Sequence, residues 1–370
     1  MKKHLLVLAV LSSLAACAQA ADIKVYGVLD YGLTVSKNTG KDGSSHWDTA
    51  MKSGGRNSSR FGIKGTEDLG NDYKVGFILE SQFLGDTGAL QTEGRLWERE
   101  SSLSLSGPFG KVTVGRLGYM KGVVGSTALY NSYRVNPFGG VQDKYIGGFK
   151  PYMTGTTWSV DNSIVYATPQ MAGLTGYLQY SNATNGDEGE TNNAKDRYFA
   201  GALRYQNGPL FAQMLVDTTN RGNAETYSDK THKDPFSAGM QVAYDFGFVK
   251  PFFMVEYFKE STLNNSGKLT VTKHNYDGFG TTLVLQTPIW GGQAKLGGGY
   301  MNAELSDDKN GTAKYDVTRY GVSIGYDYPM TKRTHIYTDA GFIKQTVEQF
   351  QQADETKKGY EYIIGMVHYF

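Results

Sequence analysis

Side chains able to do covalent or metal chemistry are scarce in this chain of 370 residues. Cys17 is the only cysteine, and His46, His232, His274, His335 and His368 are the histidines beyond the first twenty residues. None of these histidines pairs with another at metal-ligand spacing, and His46, His232 and His274 fall in or beside polar stretches that read as loops. No G-x-S-x-G elbow occurs, and the string Gly297-Gly298-Gly299 sits in strand-like sequence instead of preceding a helix. The acidic stretches NGDEGE (185–190) and SDDKNG (306–311) read as hydrated surface loops, with weak Ca²⁺ binding as the alternative. No catalytic residue, no metal site and no cofactor is therefore assigned. What remains is fixed charge. Residues 117–150 hold Lys121, Arg134, Lys144 and Lys150 against Asp143 alone, a net basic stretch. Lining a narrow aqueous passage, it would favour anions.

The elements that position such charges begin with the chain ends. Lys2 and Lys3, the apolar run LLVLAVLSSLAA and Ala18-Gln19-Ala20 spell a signal peptide over residues 1–20, too short to span a membrane, with a mature chain from Ala21. Leu14-Ala15-Ala16-Cys17 offers a lipoprotein box as an alternative, but strand-like sequence from Ile23 leaves little tether. An exported chain without further cysteine holds together without disulfides. Removing Lys2 and Lys3 takes the basic count from 37 to 35 against 36 acids, a balance that gives no support to a nucleic-acid partner.

The composition has 26 Tyr, 18 Phe and 47 Gly but nine Pro, with a mean hydropathy of −0.42. Past the leader no apolar run is long enough to span a bilayer. Aromatic and β-branched residues instead alternate with polar ones, as in IKVYGVLDYGLTV, SRFGIKG, YKVGFILESQF, SLSLS and KVTVGR. Short reversals at EDLGND, GPFG, TPQMAG, NGP, FGF, TPIWGG and YPMTKR alternate with long polar segments. The latter cover 36–57, 84–96, 117–160, 182–196, 218–234, 260–274, 305–315 and 345–358. Fifteen connections join sixteen strands, and an even number returns both ends to one side, where they pair. In lipid an open sheet edge is not viable. The expected fold is all-β, a 16-stranded antiparallel transmembrane β-barrel over 21–370. A soluble sandwich or propeller is the alternative; it does not account for the alternation of short and long connections, and no blade repeat is visible.

In YKVGFILESQF, Tyr73, Val75, Phe77, Leu79 and Phe83 would face lipid, with Lys74, Gly76, Ile78, Glu80 and Gln82 facing a wet lumen. Tyr119, Tyr166, Tyr257, Trp290, Tyr300, Tyr326 and Tyr369 lie near strand ends, where interfacial aromatics gather. The closing GYEYIIGMVHYF alternates to its last residue and is expected to pair with IKVYGVLDYGL.

These segments resemble the general porins of Gram-negative outer membranes, most closely the neisserial and beta-proteobacterial type. VYGVLDYGL is similar to that family's opening strand, SRFGIKGTEDLGNDYKVGFILESQF to its second and third strands, and GPFGKVTVGR to the turn and strand that lead into its internal loop. DNSIVYATPQMAGLTGYLQYS, KRTHIY and GMVHYF match later strands in order, across nearly the whole mature chain. The resemblance implies a homotrimeric outer-membrane channel for small hydrophilic solutes, set in lipid and lipopolysaccharide, with the third long loop (117–160) folded into the lumen. Aromatic residues of that stretch (Tyr130, Tyr133, Phe138, Tyr145, Phe149, Tyr152) suit packing inside a barrel; a long solvated external loop is the alternative.

It further implies a wall of arginines opposite that loop. Arg60 matches the wall arginine of the second strand, with Lys64 on its face and Glu80 on the next strand; Arg99 and Arg116 are the further candidates, the latter with clamping of the loop base as an alternative role. Asn136-Pro137-Phe138-Gly139-Gly140 lacks the glutamate of enteric relatives, and Trp158-Ser159 stands where another wall arginine is common. The loop candidates are Lys121, Arg134, Asp143, Lys144 and Lys150. By the same resemblance Phe370, His368, Met366, Ile364 and Tyr362 form the signal read by the outer-membrane assembly machinery. A substrate-specific channel for sugars or organic anions, a barrel adhesin and a barrel enzyme are the alternatives.

Overall fold

A computed structural model describes residues 21–39, 45–130, 136–138, 145–155, 158–184, 186, 195–222, 233–265, 269, 274–306, 315–349, 351 and 353–370. Within them the alternating stretches form β1 (Ala21–Thr39), β2 (Ser45–Ser53), β3 (Arg60–Gly70), β4 (Tyr73–Gln82), β5 (Glu100–Gly107), β6 (Gly110–Gly118), β7 (Ser159–Ala167) and β8 (Leu174–Ser181). They continue as β9 (Arg197–Asn207), β10 (Leu210–Asn220), β11 (Phe236–Tyr244), β12 (Lys250–Ser261), β13 (Tyr276–Ile289), β14 (Gly292–Leu305), β15 (Tyr315–Pro329), β16 (Thr334–Gln349) and β17 (Glu355–Tyr369). Apart from β2 and β3, which do not pair with each other, each pairs antiparallel with its sequence neighbours, and β1 pairs with β17 from Val28↔Tyr369 to Thr39↔Lys358, so the sheet closes.

Both β2 and β3 lie along β1, through Tyr31↔Ser53 to Thr39↔Ser45 and through Ala21↔Glu67 to Val28↔Arg60. They are the two halves of one stave broken at 54–59. Seventeen segments thus make the expected sixteen staves. Tight reversals use residues with positive φ: Asn71 and Asp72 (51° and 66°) between β3 and β4, and Trp290 and Gly291 (49° and 77°) between β13 and β14. These are the paired left-handed positions of a two-residue hairpin turn.

Two of the long segments are shorter than their polarity suggests. β1 runs to Thr39 and returns as β2, so most of 36–57 is strand, and β16 and β17 reduce 345–358 to a connection at 350–354. Backbone pairing is indifferent to side-chain polarity, and a hairpin wet on both faces loses the alternation that marks a half-buried strand.

Each stave has an apolar and a polar face. On β15, Tyr320, Val322 and Ile324 are exposed, whereas Arg319, Gly321, Ser323 and Asp327 are buried. Tyr166, Tyr257, Tyr300 and Tyr326 share the apolar face. Tyr119 instead packs edge-on against Tyr198 at 4.7 Å, and Tyr369 lies 6.3 Å from the His335 ring, so both belong to the polar side. The largest apolar cluster among the described residues joins staves to a connection. Leu117, Met120, Leu129, Tyr130, Phe138, Ile146, Phe149 and Met153 pack against Phe211, Leu215, Phe252, Met254, Val284 and Tyr337 of the staves.

The barrel seam is closed by the last residue. Gly27 N–H donates to the Phe370 carbonyl and Phe370 N–H to the Gly27 carbonyl, both at 3.1 Å. A Cβ at position 27 would overlap the Phe370 ring. Tyr362, Ile364 and Met366 are exposed on the apolar face, and His368 Nδ1 sits 2.9 Å from Thr334 Oγ1. Deleting Phe370 removes both seam bonds and the ring over Gly27. The folded, heat-modifiable fraction seen on electrophoresis should fall sharply, while channels that do assemble conduct as the parent does.

Candidate functional site

Charge on the polar face concentrates where β3, β4, β5 and β7 meet the 83–99 connection. Glu80 is its centre. Oε1 accepts from Arg99 Nε at 2.6 Å, and Oε2 lies 2.9 Å from the Tyr26 hydroxyl and 3.3 Å from Arg60 Nε. Arg99 is buried and also donates to Gln82 Oε1 at 2.6 Å, whereas Arg60 donates to Asn57 Oδ1 and the Ser58 carbonyl. Arg116 donates to the Glu98 carbonyl and to Asp161 Oδ1, and Arg95 grips both oxygens of the same Asp161 at 3.1 and 2.9 Å. Burial pushes the Glu98 carboxyl above its ordinary range, although the Gln82 N–H donates to it. Lys64 alone among the four basic wall candidates has no carboxylate partner within the described residues; its ammonium lies 4.7 Å from the Tyr26 ring centroid.

The described parts of the 119–158 segment bond to staves far apart in the sheet. Its start is tied to β5, β6 and β8: Ser126 donates to Glu100 through N–H and hydroxyl, and Met120 N–H to Gln179 Oε1 at 2.6 Å. From there its contacts fall on β9–β17. The Leu129 carbonyl accepts from Gln213, Tyr145 N–H donates to Glu361, and Gly147 N–H donates to Ser323. Lys121 is 5% exposed, with Nζ 2.9 Å from Ser237 Oγ and 3.3 Å from both Thr154 Oγ1 and Glu256 Oε1. Its charge is therefore taken up in anchoring, as that of Arg99 is in pairing. Lys150 opens the short 3₁₀ turn Lys150–Tyr152 and is half-buried. Arg134, Asp143 and Lys144 lie outside the described residues.

Several anchors have no counterpart among the sequence candidates. Glu256 is fully buried and accepts the Thr154 N–H at 2.9 Å and its hydroxyl at 2.8 Å. Arg319, also fully buried, donates to the Pro151 carbonyl, to the Asn264 carbonyl at 2.8 Å and to Gln345. Asn264 in turn donates to the carbonyls of Lys150 and Met153, so the 262–275 connection leans on the same segment. The available signal was a charged residue at inward parity inside an apolar strand, as in FFMVEYF.

The Lys121–Glu256 contact has a measurable energetic consequence. Lys121→Met leaves a buried carboxylate unpaired and should cost about 3–5 kcal/mol, the usual penalty for breaking one side of such a pair. Adding Glu256→Gln should recover most of it. Guanidinium unfolding midpoints in detergent check this, and a single variant as stable as the parent would contradict the anchoring role.

Comparison with known proteins supplies the family. The Gram-negative porin family profile matches residues 6–347. Outer membrane porin protein 32 of Delftia acidovorans is 29% identical over 351 residues, covering 93% of this chain and 90% of that protein. Among solved structures, an anion-selective porin from Comamonas acidovorans superposes with a TM-score of 0.70 at 24% identity, over 95% of this chain and all of the other. The in-vitro folded trimer form of OmpT, an outer-membrane protein of Vibrio cholerae, gives 0.64 at 15% identity, again over 95% of this chain and all of that one. With a closed sixteen-stave barrel, a polar inner face and a family match over most of its length, the chain belongs to the Gram-negative porins of the outer membrane.

Proposed function

We propose that the chain is a passive diffusion channel for small hydrophilic solutes and ions, narrowed by the 119–158 segment and leaning towards anions. The observation that carries this reading is the packing of that segment on the polar face of β9–β17, with Arg60, Lys64, Glu80 and Arg116 on other staves and Arg99 in the 83–99 connection. A segment held on one side of a closed barrel leaves passage along the other. Solutes there meet fixed charges at short range, where screening is weaker than in bulk water.

The anion lean draws on two supports. With Lys121 engaged by Glu256, the segment still carries Arg134, Lys144 and Lys150 against Asp143. The wall adds Lys64 without a carboxylate partner among the described residues. The porin from Comamonas acidovorans, similar in fold, is anion-selective. The same reading takes residues 1–20 as a cleaved leader, the terminal strand to Phe370 as the assembly signal, and lipid with lipopolysaccharide as the surroundings. It takes a homotrimer as the working form, in keeping with the trimeric relative. Permeation through such a pore requires no catalytic group.

Planar-bilayer recording of the purified protein under a salt gradient tests the reading. Stepwise conductance with a reversal potential on the anion side is expected, and Lys64→Glu should move that potential towards cations. Clear cation selectivity in the parent would remove the anion lean. Absence of any current from trimeric protein would overturn the channel itself.

A further inference from the structure

The large residues of the 119–158 segment meet the staves where the staves have no side chains. A Cβ at Gly239 of β11 would collide with the Tyr130 hydroxyl, and one at Gly280 of β13 with the Tyr152 carbonyl. At Gly299 of β14 it would strike the Tyr152 ring, and at Gly321 of β15 the Tyr152 hydroxyl. At Gly341 of β16 it would meet the Tyr145 carbonyl, and at Gly359 of β17 the Tyr145 ring. All six contacts are closer than 3.0 Å, a distance real Cβ atoms essentially never show. The six positions lie on the polar face, and Gly299 and Gly321 are directly paired across β14 and β15. With strands about 4.8 Å apart, the track from β11 to β17 covers on the order of 30 Å of wall.

Gly298 supplies the contrast. It stands between Gly297 and Gly299 on the same strand but on the lipid side, where its nearest atoms are at 3.4 and 3.9 Å, ordinary contact. Glycine in a strand interior weakens the strand and marks a place where another backbone approaches closely. Repetition on five of seven consecutive inward faces beneath Tyr145 and Tyr152, with Gly239 at Tyr130, is otherwise unexplained by turn geometry, because none of the six has positive φ.

We infer that these inward glycines form a bed that sets how deeply the segment sits against β11–β17, and with it the width left open along the opposite wall. They are positioning residues for permeation, and this step rests on the constriction reading proposed above. Two of the contacts, at Gly280 and Gly341, are to segment carbonyls. A side chain there meets backbone, so the segment itself must lift. It would lift towards Arg60 and Lys64.

A cross-link reports the seating directly. A Cβ built on Gly147 lies 3.2 Å from Ser323 Cβ, within a few tenths of an ångström of disulfide reach. In chain refolded from Ala21, which has no native cysteine, the Gly147→Cys/Ser323→Cys pair should oxidise readily. The bond should be lost when Gly280→Val/Gly341→Val is added and kept when Gly298→Val is added instead. Bilayer conductance should change in the first case only. A bed variant that folds, cross-links and conducts like the parent would overturn the inference. If Gly280→Val/Gly341→Val does not fold, Gly299→Ala takes its place: the cross-link yield should fall and return in Gly299→Ala/Tyr152→Ala. Equal yields across those variants would equally overturn it. Cross-linking reads the bed and parental current reads the channel, so the two conclusions fail separately.

Discussion

Every backbone N–H and C=O inside a bilayer needs a partner, and in a sheet without edges each finds one on a neighbouring stave. That requirement organises this molecule. It is met by sixteen staves with antiparallel pairing throughout, which brings β1 beside β17 and makes the reciprocal Gly27–Phe370 bonds part of the wall instead of a frayed end. It also explains what happens where the wall is broken. At 54–59 the second stave leaves the ladder, and the Asp30 carboxylate of β1 takes over as acceptor, receiving the N–H groups of Arg56 and Asn57 at 2.8 and 2.5 Å. Gly54 N–H goes to the Asp30 carbonyl and the Tyr337 hydroxyl to Asp30 Oδ1. An ion pair from Arg56 to Asp327 fastens the kink to β15. A side chain standing in for a missing strand neighbour keeps the break satisfied.

Closure has a second effect, on the inside. With lipid taking the apolar face, the polar face encloses a space into which charged residues can point, but those covered by protein still need compensation. Lys295 and Asp339, 1% and 0% exposed, pair at 2.7 Å, and Glu256 is matched by Lys121. The same enclosed face receives the apolar side chains of the 119–158 segment, which explains why the largest hydrophobic cluster joins a connection to the wall. A barrel of this kind has no core until a loop supplies one.

How much of this the sequence carries depends on whether the deciding contact is periodic. Stave number, turn sites and the inward parity of Glu80 and Gln82 follow from period-two alternation and turn residues, and all are found. The β1–β2 hairpin does not stand out in the sequence because Ser36, Asn38, Asp48 and Thr49 are polar and the backbone ladder that pairs them leaves no alternation to read. The break at 54–59 was missed because its acceptor, Asp30, lies a whole hairpin away. Arg60 and Arg99 both reach Glu80, yet the burial of Arg99 on Glu80 and Gln82 depends on the 83–99 connection folding back on β4. Lys121 reads as a loop charge in one dimension; only β11 and β12 behind it make it an anchor.

That difference between a counted charge and an acting one bears on any selectivity argument. An ion feels the net field, and a guanidinium 2.6 Å from a carboxylate presents a dipole whose influence falls off faster than that of a lone charge. Around the wall, Arg60, Arg95, Arg99 and Arg116 stand among Glu80, Glu98, Glu100 and Asp161, four of each sign. Such a network carries little net charge. On the channel reading proposed above, it would orient dipoles across the passage more than set a sign, and the sign would fall to cations outside the network, such as Lys64 on its tyrosine ring. On that reading the wall arginines hold the aperture, with selectivity set by fewer and more exposed groups.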